Sequence, residues 1–257
     1  MSGLFHTILY QPLFNLFVGL YNIIPDVGVV ILIVTVLVKL VLYPLTTSSI
    51  KAQKSLSELQ PKLAALKTQY KDNQQQLAQE TMKLYKEHKV NPFGSCLPLL
   101  IQIPVFLALY WVLQKGLTGQ DFSPLYSFIK NPGTIHTVTL NLFDLQNASP
   151  VLAILAGLAQ FWQAKMMYTK QPPKAAGEGG KDENMMAMMN KQMLYVFPVM
   201  TVLIGLKLPG GLSLYWLLST VLTALQQELI FRKGKKNDGA GPSGKIDKDA
   251  IEGKIVG

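Results

Sequence analysis

Apolar and polar positions along this chain fall into long blocks, and the blocks predict helices rather than strands. A hydrocarbon core of roughly 30 Å takes about 20 mostly apolar helical residues, because no open backbone hydrogen bond can face lipid. Five blocks qualify, at residues 26–45, 95–115, 149–168, 192–207 and 208–231, the last opening with the turn Lys207-Leu208-Pro209-Gly210-Gly211. The first is interrupted only by Thr35 and Lys39. The pattern therefore predicts an all-α polytopic membrane protein with five transmembrane helices, a cytoplasmic helical hairpin and an N-terminal interfacial helix.

In residues 1–25, Leu4, Phe5, Ile8, Leu9, Leu13, Leu16, Phe17 and Leu20 recur at helical spacing, with Thr7, Gln11, Asn15 and Asn22 opposite, as in a helix lying in the outer interface. A sixth span is the alternative, and Pro12 with the amides speaks against it. No Lys or Arg precedes residue 25, so the charged start of a signal peptide is missing, and no Cys stands there to carry a lipid. Residues 46–94 are polar and lysine-rich, yet Leu56, Leu59, Leu63, Leu66 and Tyr70 step by three and four, and Leu77, Leu84 and Tyr85 resume the seam after Lys71-Asp72-Asn73. An antiparallel hairpin follows, with Pro61 expected to weaken or kink its first arm. It is either a structural coiled coil or a mobile platform for a partner. An external loop (116–148), a cytoplasmic loop (169–191) and a basic disordered tail (232–257) complete the organisation.

Charge sets the orientation. Of 24 Lys and Arg, eight fall in 46–94, five between Lys165 and Lys191 and seven in 232–257, all on one side. Only Lys115, Lys130 and Lys207 fall on the other, so the positive-inside rule puts the N-terminus outside and the C-terminus in the cytoplasm. Charged residues are 15% against about 25% in a typical globular protein. A single cysteine, Cys96, and scattered His6, His88 and His136 argue against a disulfide framework or a metal centre.

Lys39 is the ionisable residue that stands out within a span, where a charge costs about 2.5–3.5 kcal/mol. Either it snorkels to the inner headgroups or it faces a water-filled cavity open to the cytoplasm. Gln102, Gln160, Gln163, Thr201, Ser213, Tyr215, Trp216, Ser219, Thr220, Thr223 and Gln226 are available to line such a groove, although each alone is commonly helix–helix glue. No carboxylate stands in a span to neutralise Lys39 except Glu228, near the inner end. Catalytic motifs, a nucleotide loop and paired intramembrane carboxylates are absent, so neither an enzyme nor a cofactor is expected. Asn147-Ala148-Ser149 fits a glycosylation sequon that carries little weight.

Several uncommon runs occur together: Glu58-Leu59-Gln60-Pro61-Lys62, the stretch from Met82 to Pro92, Gly94-Ser95-Cys96-Leu97-Pro98-Leu99-Leu100-Ile101-Gln102-Ile103-Pro104-Val105-Phe106, Leu208-Pro209-Gly210-Gly211-Leu212-Ser213-Leu214-Tyr215-Trp216, and Gln226-Gln227. From about residue 10 to 235 the chain resembles the YidC/Oxa/Alb family of membrane protein insertases, in its short form without a large periplasmic domain. The resemblance implies a bacterial inner-membrane insertase with a hydrophilic groove, open to the cytoplasm and to lipid and closed outside, through which nascent hydrophobic segments pass into the bilayer. It implies that Lys39 takes the place of the family's groove-facing positive residue, usually Arg, with loss of the planar, bidentate fork. It further implies that Tyr215 and Trp216 match the aromatic pair of the fifth span and that residues 46–94 match the mobile hairpin. The SecYEG translocon, the ribosome and the signal recognition particle pathway are the partners it suggests.

The basic tail residues Arg232, Lys233, Lys235 and Lys236 bind either ribosomal RNA or anionic lipid, or serve only as a positive-inside anchor. Two other classes stay open. A solute transporter would usually carry paired, interrupted halves, and no internal repeat is found. A folding scaffold for membrane proteins would need no groove charge.

Overall fold

Pro12 stands in the first turn of a helix, where its missing N–H is not needed, and the helix so begun, α1 (Gln11–Ile23), follows wider turns at His6–Tyr10. The computed structural model describes residues 3–71, 73–91, 97–119, 121–168 and 192–238. Helix α1 buries Leu13, Phe14, Phe17, Val18 and Tyr21 in the main core. The faces expected from its amphipathic pattern are rearranged. Asn15 is only 3% exposed, whereas Leu4, Ile8 and Leu16 point outward. The reason is hydrogen bonding to the loop expected to be external: Asn15 Nδ2 donates to the Pro124 carbonyl at 3.0 Å, its Oδ1 accepts the Tyr126 N–H at 2.7 Å, and Asn22 Nδ2 donates to the Lys130 carbonyl at 2.7 Å. Asn15 is buried because the loop supplies its partners, while Asn22 stays exposed beside its own.

Asp26 caps the next helix, α2 (Val27–Val41), accepting the Val29 N–H at 3.0 Å. The apolar run extends to Leu45, but the helix ends at Val41. Pro44 cannot donate to the carbonyl one turn back, and the chain bends by 69° into α3 (Tyr43–Gln69). Pro61, expected to weaken or kink α3, is accommodated within a continuous helix between the buried Leu59 and Leu63. After a turn, Asn73 Oδ1 caps α4 (Gln74–Glu87) by accepting the Gln76 N–H at 3.1 Å. The predicted seam lies inward: Leu66, Tyr70, Leu77, Leu84 and Tyr85 are half-buried, and Lys62 Nζ donates to His88 Nε2 at 2.8 Å between the arms.

Helix α5 (Leu97–Leu113) continues in wider turns at Gln114–Gly119 and leads into the external loop. There β1 (Val138–Thr139) pairs antiparallel with β2 (Phe143–Asp144), Val138 opposite Asp144. Helices α6 (Pro150–Tyr168), α7 (Phe197–Gly205, after wide turns at Gln192–Val196) and α8 (Gly210–Asp238) pack together. Glycines set the close approach of α6 and α7: a Cβ at Gly157 would meet the Pro198 carbonyl at 3.1 Å, and one at Gly205 would meet Ala153 Cβ at 2.9 Å. The Gly210 and Gly211 N–H groups, at the start of α8, donate to the Asn147 and Leu145 carbonyls at 2.8 and 2.9 Å, so the external loop seats on the first turn of the last helix.

Outward-facing apolar side chains band the helices, among them Leu100, Ile103 and Leu107 on α5 and Ile154, Leu155 and Leu158 on α6. Among the described residues no single helix is both long and apolar enough to cross a membrane; α2 and α3 pass that test only as a bent pair. The basic run Arg232–Lys236, expected in a disordered tail, instead continues α8, which ends at Asp238 rather than near Phe231. Arg232 pairs with Glu228 one turn earlier at 2.5 Å, a helix-compatible spacing. The cytoplasmic loop at 169–191, the tail beyond 238 and the side chains of Lys233, Lys235 and Lys236 lie outside the described residues.

Candidate functional site

Tyr215, Ser219, Thr223 and Gln226 step by four, four and three along α8, which places them on one face over about 16 Å at 1.5 Å per residue. Each end of this stripe, and its middle, engages a different helix. At one end Gln102 Nε2 of α5 donates to the Tyr215 hydroxyl at 2.5 Å, in a position where Tyr215 is 1% exposed. In the middle Lys39 Nζ of α2 donates to Thr223 Oγ1 at 2.9 Å, and Thr223 donates onward to the Ser219 carbonyl at 2.7 Å. At the other end Gln226 Nε2 donates to Thr46 Oγ1 at 3.0 Å and Thr47 Oγ1 at 2.9 Å, both at the root of α3.

Lys39 therefore turns into the helix assembly and rests on a neutral hydroxyl. Among the described residues no carboxylate pairs with it, and Glu228, the acidic group nearest to it along α8, is engaged by Arg232. A half-buried ammonium held by one hydroxyl keeps further donors available for an acidic group.

The other sequence-derived candidates divide. Trp216 is half-buried and meets Phe106 of α5 edge-on, ring centroids 5.4 Å apart. Ser213 donates to the Gly205 carbonyl at 3.2 Å, which commits it to the α7–α8 contact instead of the Lys39 stripe. Thr201 on α7 and Thr220 on α8 are buried, and Gln160 and Gln163 are half-buried along α6. Thr46 and Thr47 escaped the sequence reading because they follow the apolar run and look like hairpin surface. Their signal was the Thr-Thr-Ser-Ser run just past Pro44. Gln227 was missed as well: it is buried, and its Oε1 has no hydrogen-bond partner.

The loop between α5 and α6 is tied to the start of α2 and to α1. Asp26 accepts the Leu140 N–H at 3.0 Å and a short hydrogen bond from the Thr139 hydroxyl, and Tyr21 Oη accepts the His136 N–H at 2.8 Å. Lys115 pairs with Asp121 at 3.2 Å beside the Tyr10 ring. The Asp121 carboxyl is held below the usual carboxylate range, first by hydrogen bonds from Ser123 and then by Lys115.

The family model described as 60Kd inner membrane protein matches residues 19–237. The membrane protein insertase YidC of Fusobacterium nucleatum is 38% identical over 207 residues, which is 80% of this chain and 87% of that relative. The YidC of Mannheimia succiniciproducens is 35% identical over 222 residues, 86% of this chain but 36% of its own length. Among solved structures, an active YidC insertase with its first transmembrane domain resolved superposes with a TM-score of 0.56 at 26% identity. That match covers 86% of this chain and 46% of the other.

Proposed function

The chain belongs to the 60Kd inner membrane protein family, that of the YidC insertases, and from that premise we propose that it moves nascent hydrophobic segments from the cytoplasm into the lipid bilayer. It crosses a bacterial inner membrane five times with its C-terminus in the cytoplasm, where twenty of the 24 Lys and Arg fall. The polar stripe of α8 with Lys39 and Gln102 forms the groove. The observation that carries this reading is Lys39 resting on Thr223 with no carboxylate partner among the described residues.

In the proposed cycle a ribosome or targeting complex delivers a segment at the α3–α4 hairpin, alone or beside a SecYEG translocon. Lys39 attracts acidic groups of the outward-bound tail, and Gln102, Ser219, Thr223 and Gln226 replace water around its polar backbone. Helix α2, 15 residues long, spans about 22 Å, which suits a bilayer thinned at the groove. Burial of the apolar segment in lipid, at about 25 cal/mol per Å², drives the step without a nucleotide. The remaining candidates, Gln160, Gln163, Thr201, Ser213, Trp216 and Thr220, flank the groove as packing and polar glue.

The test is rescue of a bacterium depleted of its own insertase, with the wild-type chain and Lys39→Arg, Lys39→Ala and Lys39→Glu at matched expression. Wild type and Arg rescue; Ala and Glu do not. Equal rescue by all four would remove the groove role of Lys39, and failure of the wild type at normal expression would remove the insertase reading.

A further inference from the structure

The short hairpin of the external loop presents leucine where its backbone disfavours it. The Leu142 N–H donates to the Thr139 carbonyl at 3.0 Å, closing a turn whose central residues, Leu140 and Asn141, have φ of 50° and 55°. Two consecutive left-handed residues call for Asn or Gly, and asparagine fits the second position; leucine at the first is the costly choice. Its side chain gains nothing from the protein in return, since Leu140 is 69% exposed and Leu142 75%. Strain kept at a residue with no internal packing points to an external contact.

The hairpin is also fixed in place. Asp26 accepts the Leu140 N–H, and Gly28, in the first turn of α2, leaves room for Thr139 alone, since a Cβ there would collide with the Thr139 side chain. Behind the turn, Leu145 is fully buried and its carbonyl accepts the Gly211 N–H of α8. The two leucines are thus held at the level where α2 begins, and Ile23, 77% exposed, stands three residues before Asp26 in the chain. This is an aliphatic patch on a rigid support at the outer end of an apolar helix, with uncharged Asn141 between its leucines.

We propose that Leu140 and Leu142, with Ile23, insert into the outer leaflet of the membrane, so that the hairpin anchors the external loop in lipid beside the first apolar helix. A lipid surface is the occupant because the patch is aliphatic, uncharged and tied to the start of an apolar helix whose Leu32 and Leu37 also face outward. The inference rests on the chain being embedded as proposed above.

The experiment uses the full chain with Cys96→Ser in liposomes, carrying one nitroxide at a time at Leu140→Cys, Leu142→Cys, Gln146→Cys or Leu158→Cys. Collision with oxygen, which concentrates in the hydrocarbon, is compared with collision with a water-soluble nickel chelate. Labels at 140 and 142 should be several-fold more accessible to oxygen than to the chelate, as the one at 158 is, while the label at 146, on the same loop and exposed, shows the reverse. If 140 and 142 behave as 146 does while 158 stays oxygen-accessible, the anchor is overturned and embedding stands. Chelate access at 158 as well would overturn both. Should labelling at 140 disrupt the turn, the 142 label, outside its two central residues, decides the matter alone.

Discussion

The Lys39 ammonium and the Thr223 hydroxyl lie 2.9 Å apart across the contact of α2 and α8, and Thr223 is itself oriented by donating to the Ser219 carbonyl. The charge is held sideways between the two helices by one neutral acceptor. Thr223→Val removes that acceptor and leaves the lysine stem free to climb toward the inner headgroups. The expected loss is about 1 kcal/mol, roughly fivefold in insertion rate, for clients with acidic tails. Clients with neutral tails should lose little, and Thr223→Ser should restore both. Equal losses for the two client types would show that Thr223 only packs.

A second hydrogen bond of the stripe is testable by stability. Tyr215 is buried and its hydroxyl bonds both Gln102 and Ser219, so Gln102→Leu removes one of two partners and should cost about 1 kcal/mol in thermal unfolding in detergent. Tyr215→Phe added to that variant should cost less than it does in the wild type, because the Gln102 bond is already gone and only the one to Ser219 is left to lose. A double variant as unstable as the sum of the singles would mean that the pair is not coupled.

Gly210 and the external loop make a third case. A Cβ at Gly210 would sit 2.9 Å from the Asn147 carbonyl and 3.2 Å from that of Asp144, both backbone atoms that cannot swing aside. Gly210→Ala should therefore displace the loop from α8 at a cost of about 1–3 kcal/mol, with faster hydrogen exchange over 144–147. Unchanged exchange there would mean that α8 itself absorbs the added methyl group.

These contacts mark how far the sequence alone reaches. Lys39 stands out in the sequence because a cation within an apolar run is costly wherever the helix turns, and the leucines of residues 46–94 because they keep a helical step. The division of the α8 polar residues was not legible. Tyr215, Ser219, Thr223 and Gln226 share a face, but only the rotation of α8 against its neighbours sends Ser213 to Gly205 instead. In α1 the apolar set divides: Leu13 and Phe17 are buried while Leu16 is exposed, and Asn15 of the polar set is buried beside them. Carbonyls at Pro124 and Lys130, more than a hundred residues away, bury Asn15 and hold Asn22. The extension of α8 past Phe231 was likewise hidden: a basic run reads as solvated tail until Glu228 is seen pairing with Arg232.

Acid should loosen the external loop. The Asp144 carboxyl is held below the usual carboxylate range, first by the Gln146 N–H and also by the Asn147 amide. A carboxyl depressed in the folded state contributes stability that is fully present above its unfolded pKa and is lost as pH falls through the folded value. Loop protection against protease should thus be constant from neutral pH down to the ordinary carboxylate range and decline below it. Asp144→Asn should flatten that decline; an unaltered profile would assign it to Asp121 or Asp26.

Gln226 joins the polar stripe of α8 to the root of α3, because the residue that grips Thr46 and Thr47 lies three positions from the one that holds Lys39. The 69° bend between α2 and α3 falls at Leu42, so these hydrogen bonds fix the direction in which the hairpin leaves the helix assembly. Gln226→Leu frees both threonines while keeping the helix, and hydrogen exchange should quicken over 43–50 without change in α4. Gln226→Glu differs in sign: it keeps an acceptor for the threonine hydroxyls but sets a carboxylate one turn from Thr223, within the reach of a lysine stem. Its expected signature is an intact hairpin root with the Lys39 charge neutralised, so that insertion of acidic-tailed clients falls as in Lys39→Ala while exchange over 43–50 stays slow. Loss of both together in each variant would show that the hairpin root and the groove charge act as one element.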